Sequence, residues 1–219
     1  ILDARGALRG ADAALIVIDA THGVEVQTEK ACGYAEEFGI PVVETVAGKS
    51  CLLADHPRYA GPVGVTGAGA ANVVVTEADL VIAIGTRLED FTKGSWTVFD
   101  PSARFVGVNA ARFDAMKHRS IAVVGDARES IADLAEALRG WTAEDLWTFR
   151  GMEMRIELQT FVDGRTADDG VWPPSYAQLV GLVHESATEH DYVMTAAGGL
   201  PGELNINWMS KAIASFDCD

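Results

Sequence analysis

A series of short apolar runs constrains this chain more than any other feature. They are Ala14-Leu-Ile-Val-Ile18, Pro41-Val-Val-Glu-Thr-Val46, Leu80-Val-Ile-Ala-Ile84, Phe105-Val-Gly-Val108 and Ile121-Ala-Val-Val124. Runs this short, apolar without alternation, are expected of strands covered on both faces. Helix-like stretches separate them: Thr28 to Phe38, closed by Gly39, and Ala70 to Ala78. A last one, Asp126 to Arg139, opens with Asp126 and Glu129 in capping-box spacing and places Ile131, Leu134, Ala135 and Leu138 on one face. Repeated strand–helix–strand order predicts an α/β fold, a doubly wound parallel sheet with helices on both faces, between Ala11 and Trp141. The Gly- and Pro-rich stretch from Ala47 to Gly69 reads as irregular.

From Gly140 to Pro174 the rhythm breaks. Trp141, Trp147 and Trp172 stand among many charges and the turn-rich Asp163–Gly170. We read 142–173 as an interdomain linker on a surface, and 1–141 as one complete domain. Ser175 to Ala187 then reads as a helix, with Tyr176, Val180, Val183 and Ala187 on one face. It leads through an apolar strand into Ala196-Ala-Gly-Gly-Leu-Pro-Gly-Glu-Leu204. One strand–turn–helix unit does not make a domain, so 174–219 reads as the start of an incomplete second α/β domain. With Ile1 in first place, the chain is expected to be an internal piece of a larger protein.

Composition narrows the function classes. Apolar residues make up 48% of the 219, enough for a core. With 32 Asp+Glu against 17 Lys+Arg, the surface repels phosphate backbones and anionic membranes, so neither nucleic acid nor membrane is an expected partner. Cys32, Cys51 and Cys218 are isolated, which suits reduced thiols in a cytoplasmic protein.

Several motifs invite a chemical reading. Gly48-Lys49-Ser50 resembles the end of a P-loop, but Val43 stands where its first glycine belongs, so a turn is expected. Gly61-Pro-Val-Gly-Val-Thr-Gly-Ala-Gly69 leads into a helix, where backbone N–H groups bind anions; a structural turn is the preferred reading. Arg87, Asp90, Lys93 and Ser95 follow the clearest strand, where ligands usually lie. The equal alternative is a structural loop anchored by Phe91 and Trp96. No two histidines stand at i, i+4, so no metal site is expected within the chain, and no catalytic residue is assigned. Gly198, Gly199 and Gly202 directly follow a strand and precede a helix; a diphosphate-facing turn and a plain tight turn are equally open.

With these residues the chain resembles thiamine-diphosphate-dependent enzymes. Gly39-Ile-Pro-Val-Val-Glu-Thr, Ala47-Gly-Lys-Ser, Asp55-His-Pro, Gly64-Val-Thr-Gly, Ala78-Asp-Leu-Val-Ile-Ala-Ile-Gly-Thr-Arg-Leu and Val124-Gly-Asp-Ala resemble their Rossmann-like central domain. Thr86-Arg-Leu-Glu-Asp-Phe-Thr-Lys-Gly-Ser-Trp-Thr, the stretch from Val108-Asn to Phe113-Asp-Ala-Met-Lys-His118, and Ala196–Leu204 resemble the trihydroxycyclohexane-1,2-dione hydrolase branch, of myo-inositol breakdown.

The resemblance implies hydrolytic opening of a cyclic 1,2-diketone to 5-deoxyglucuronate, with thiamine diphosphate as electron sink and Mg2+ beside it. It maps only the first diphosphate-facing turn here, onto Gly198, Gly199 and Leu200. The activating glutamate belongs to another domain in the family, and the magnesium ligands to a later motif. The family's glycine cluster after the first strand is replaced by Asp19-Ala-Thr-His, which favours a scaffold and oligomer-contact role for the central domain. A homo-oligomeric parent is implied. The competing readings are an acetolactate-synthase-like decarboxylase or carboligase, and a non-catalytic nucleotide-binding module.

Overall fold

The computed structural model describes residues 1–19, 26–196 and 198–218, with backbone alone at 26–30 and 218. In chain order the elements are α1 (Leu2–Arg9), β1 (Ala14–Ile18), α2 (Val26–Phe38), β2 (Val42–Glu44), β3 (Tyr59–Pro62), α3 (Gly69–Glu77), β4 (Leu80–Ile84), α4 (Asp90–Lys93), β5 (Arg104–Asn109), α5 (Arg112–Ala115), β6 (Ile121–Val124) and α6 (Ala127–Ala137). They continue as α7 (Asp145–Thr166), α8 (Tyr176–Ser186), β7 (Val193–Thr195), α9 (Leu200–Asn207) and β8 (Phe216–Cys218).

The strands β1 to β6 form one parallel sheet in the order β3-β2-β1-β4-β5-β6. β1 and β4 are its centre, and every residue of both is buried. Ile16, Ile82 and Ile84 meet Leu8 of α1, Tyr34 and Phe38 of α2, and Ile131 and Leu134 of α6. α3 and α7 pack against each other and against β3, and the β3–α3–β4 crossover, right-handed as such units are, puts α3 on the opposite face. The doubly wound α/β fold expected from the apolar runs is therefore the fold observed.

Some elements were hidden in the sequence. β3 reads Tyr-Ala-Gly-Pro, a pattern that normally breaks structure, yet it is an edge strand, where proline costs no ladder bond that matters. The segment read as a linker holds α7, a 22-residue helix. Its buried residues Trp147, Gly151, Met154, Leu158 and Val162 keep helical spacing. Exposed Leu146, Phe149, Ile156 and Phe161 on the other side blur that pattern. Trp147 Nε1 donates to the Ala14 carbonyl at 2.7 Å, tying α7 to the start of β1.

α8 starts on a full capping box between Ser175 and Gln178. Its buried face differs from the one expected: Ala177, Val180 and Gly181 are covered, whereas Tyr176 and Val183 are exposed. The covered face meets α7 and α9. β7 and β8 make a separate two-stranded parallel sheet, with a small core of Val180, Leu204, Trp208 and Phe216.

Candidate cofactor site

The sheet order reverses between β1 and β4, and in open parallel sheets such a point is where ligands bind. Here the backbone after β1 and the backbone after β4 run close together. Asp19 N donates to the Ile84 carbonyl at 3.1 Å, and a Cβ on Gly85 would lie 2.7 Å from the Asp19 carbonyl oxygen. Beyond Asp19, the rest of the Asp-Ala-Thr-His segment, with all of residues 20–25, lies outside the described residues.

Next to it, Lys49 turns inward. Its Nζ lies 3.0 Å from Glu44 Oε1 and donates to Tyr59 Oη at 3.3 Å, while Tyr59 Oη donates to the same Glu44 oxygen at 2.6 Å. Burial, then the Glu44 charge, pushes the Tyr59 hydroxyl well above its ordinary value. An ammonium committed in this way reaches no phosphate, so the P-loop resemblance of Gly48-Lys49-Ser50 ends in a structural turn. Cys51 Sγ donates to the Gly48 carbonyl within that turn, and burial pushes its thiol well up, away from reactivity.

The Gly61–Gly69 loop is likewise occupied by protein. A Cβ on Gly64 would lie 2.2 Å from the Phe91 carbonyl oxygen, and one on Gly67 2.5 Å from that of Pro62. Asn72 closes the loop by accepting from Gly64 N and donating to the Gly64 carbonyl, both at 3.0 Å. These are features of the structural turn rather than of an anion cradle.

After β4, Asp90 Oδ1 accepts from Lys93 Nζ at 2.5 Å and from Ser95 N at 3.0 Å, so three of the residues singled out there bind one another. Arg87 Nη1 lies 3.7 Å from Glu89 Oε1 on the surface. Trp96 is an anchor, packed on Phe99, Phe105 and His118. Phe91 is not one, being 66% exposed. Among the described residues, no group of three or more His, Cys, Asp or Glu is placed to hold a metal ion.

The turn after β7 is open. Gly198 has φ +148°, a conformation that favours glycine, and Gly199 caps α9 without any side-chain bond to its first turn. A Cβ on either glycine would meet nothing within 4 Å. Leu200 begins the helix and is half-buried to exposed, at 41%. Uncapped N–H groups with free space before them suit an anion. One charge opposes this: Glu203 sits in the same first turn.

This unit is seated on the carboxyl-end loops of the large sheet. Asn205 Nδ2 donates to the Thr66 carbonyl at 2.8 Å, and Ser215 N donates to Ser50 Oγ at 3.0 Å. Arg165 Nη2 reaches Glu203 Oε2 at 2.6 Å from the last turn of α7. Sequence reasoning passed over Arg165, Glu203, Asn205 and Asn207. The available signal was three polar side chains alternating with Leu204, Ile206 and Trp208 in a segment otherwise apolar.

Comparison with known proteins agrees with this architecture. Residues 1–134 match the family model described as "Thiamine pyrophosphate enzyme, central domain". The 3D-(3,5/4)-trihydroxycyclohexane-1,2-dione hydrolase of Listeria monocytogenes serotype 4b (strain F2365) is 32% identical, over 82% of this chain and 32% of its own length. A "hydrolase 1" of the same name from Bacillus cereus is 34% identical, over 81% and 32%. That of Clostridium perfringens (strain 13 / Type A) is 30% identical, over 84% and 32%. The chain thus spans about a third of the length of the curated relatives it matches. With the six-stranded parallel sheet and the match over residues 1–134, the chain belongs to the thiamine pyrophosphate enzyme family, of which it carries the central domain.

Proposed function

We propose that this chain supplies the central domain and the first diphosphate-facing turn of a thiamine-diphosphate-dependent hydrolase. The reaction is opening of the ring of 3D-trihydroxycyclohexane-1,2-dione to 5-deoxyglucuronate. The observation carrying this reading is the extent of similarity. The family match ends at residue 134, whereas similarity to relatives bearing the hydrolase name covers 82% of the chain and so runs beyond the central domain.

When bound, thiamine diphosphate supplies the electron sink that cleavage of a C–C bond beside a carbonyl requires. The part of this chain is to bind and orient. The backbone at Gly198 and Gly199 and the N–H groups of Leu200 and Gly202 at the start of α9, where Pro201 has none to offer, would receive the diphosphate, and Leu200 would border it. Thr66 of the central domain and Arg165 of α7 hold α9 in place, and Ser50 holds the segment before β8. This reading brings with it Mg2+ at the diphosphate, a cyclic diketone as substrate, a homo-oligomeric parent and a cytoplasmic setting.

The test is an assay of the polypeptide at the relatives' full length, with thiamine diphosphate and Mg2+, against the cyclic dione and against pyruvate. Dione consumption without turnover of pyruvate is expected. Turnover of pyruvate with no attack on the dione would replace the hydrolase by a decarboxylase or carboligase.

A further inference from the structure

We propose that Arg165 is the counter-charge that makes the N-terminus of α9 acceptable to a diphosphate. The inference rests on the placement of the cofactor turn at Gly198–Leu200 and adds a residue from a different element to it. α9 has Glu203 in its first turn and no basic residue of its own. A carboxylate there opposes the anion that the helix N-terminus attracts. Glu203 Oε2 accepts from Arg165 Nη2 at 2.6 Å and from Asn207 Nδ2 at 2.8 Å, so its charge is offset on the side facing α7.

The arginine is held for that task. It lies in the last turn of α7, where the helix dipole favours a cation, and its guanidinium sits 5.4 Å from the Phe161 ring centre. The two side chains are 35% and 27% exposed, so solvent screens the pair only in part. The next lysine or arginine along the chain is Lys211. Its ammonium is committed to the carbonyls of His184 and Ala187, at 2.5 and 2.7 Å. In a chain of net charge −15, a further unpaired carboxylate beside the turn would count directly against a diphosphate.

A merely structural tie between α7 and α9 and a charge-cancelling role differ in one measurable respect. If the pair serves only to hold the helix, losing either partner does the same damage. If it cancels charge, removing Glu203 repairs the loss of Arg165.

The experiment is calorimetric titration of the full-length polypeptide with thiamine diphosphate at saturating Mg2+. Arg165→Met is expected to raise Kd roughly tenfold, the scale of one partly screened charge nearby. Arg165→Lys, which keeps the charge, should stay within about twofold of the parent on the same reasoning. Glu203→Gln alone, which leaves the Arg165 charge uncompensated, should lower Kd, and Arg165→Met with Glu203→Gln should return it to near the parent value. Urea unfolding of each apo protein shows that the variants fold, and the Arg165→Lys comparison stands if Arg165→Met does not.

A double variant as weak as Arg165→Met overturns the proposal. So does an unchanged Kd in Arg165→Met while Gly199→Val weakens binding. If Gly199→Val also leaves Kd unchanged, the turn itself is not the cofactor site, and the functional reading of Gly198–Leu200 falls with it.

Discussion

Lys49 and Glu44 form an ion pair 3.0 Å long inside the central domain, with side chains 0% and 2% exposed. The residue after Lys49 is Ser50, whose backbone takes φ +69°. Its carbonyl accepts from Ala214 N at 3.1 Å and its hydroxyl from Ser215 N at 3.0 Å. A buried charge pair in one unit therefore sets the loop on which the other unit rests.

Removing one partner should be costly, because it leaves the other charge buried and alone. Lys49→Met is expected to lower stability by about 3–5 kcal/mol. Lys49→Met with Glu44→Gln should cost clearly less than Lys49→Met alone. Urea unfolding of the two variants checks this, and equal losses would mean that the charge is not what matters there.

The docking of α7 can be tested at Gly151, where an added Cβ would lie 2.6 Å from Pro41 Cγ. Gly151→Val should cost about 1–3 kcal/mol through overpacking. It should also speed amide exchange along the helix between Trp147 and Val162. Wild-type protection there after the substitution would show that α7 does not depend on this contact.

Stability should fall as the solution is made acidic. Burial is the leading cause that lowers His56, His118 and His184 from their ordinary value of 6.5. The unfolded chain then binds protons that the folded chain does not, so stability is lost as pH drops through 6.5 and below. His184 Nε2 also contacts the Met209 carbonyl at 2.8 Å. Urea midpoints between neutral pH and pH near 5 should decline, and His184→Gln should flatten the decline. A pH-independent midpoint in the parent would contradict the half-buried, neutral state of these rings.

The second unit should open before the first. β7 and β8 have three residues each and pair only with each other among the described strands, an arrangement that is marginal by itself. Hydrogen exchange of this 219-residue chain should show fast amides in 193–195 and slow ones in β1 and β4. Comparable protection in both sheets would show that 174–218 is more firmly held than its small core indicates.

The sequence by itself determined the parallel sheet. β1 and β4 begin and end where their apolar runs do, because a strand covered on both faces must be apolar at every position. It also determined the strand–turn–helix order around Gly198 and Gly199, through residues needed for local backbone geometry. Only the tertiary structure decided where the polar groups go. Lys49 looks like a phosphate ligand until its ammonium is found against Glu44 at the end of β2 and Tyr59 at the start of β3. Arg165 and Glu203 are 38 residues apart, and α7 looks like a linker until its far side is ignored. Local patterns follow from the chain's own geometry, whereas the pairing of charges depends on which surfaces folding brings together.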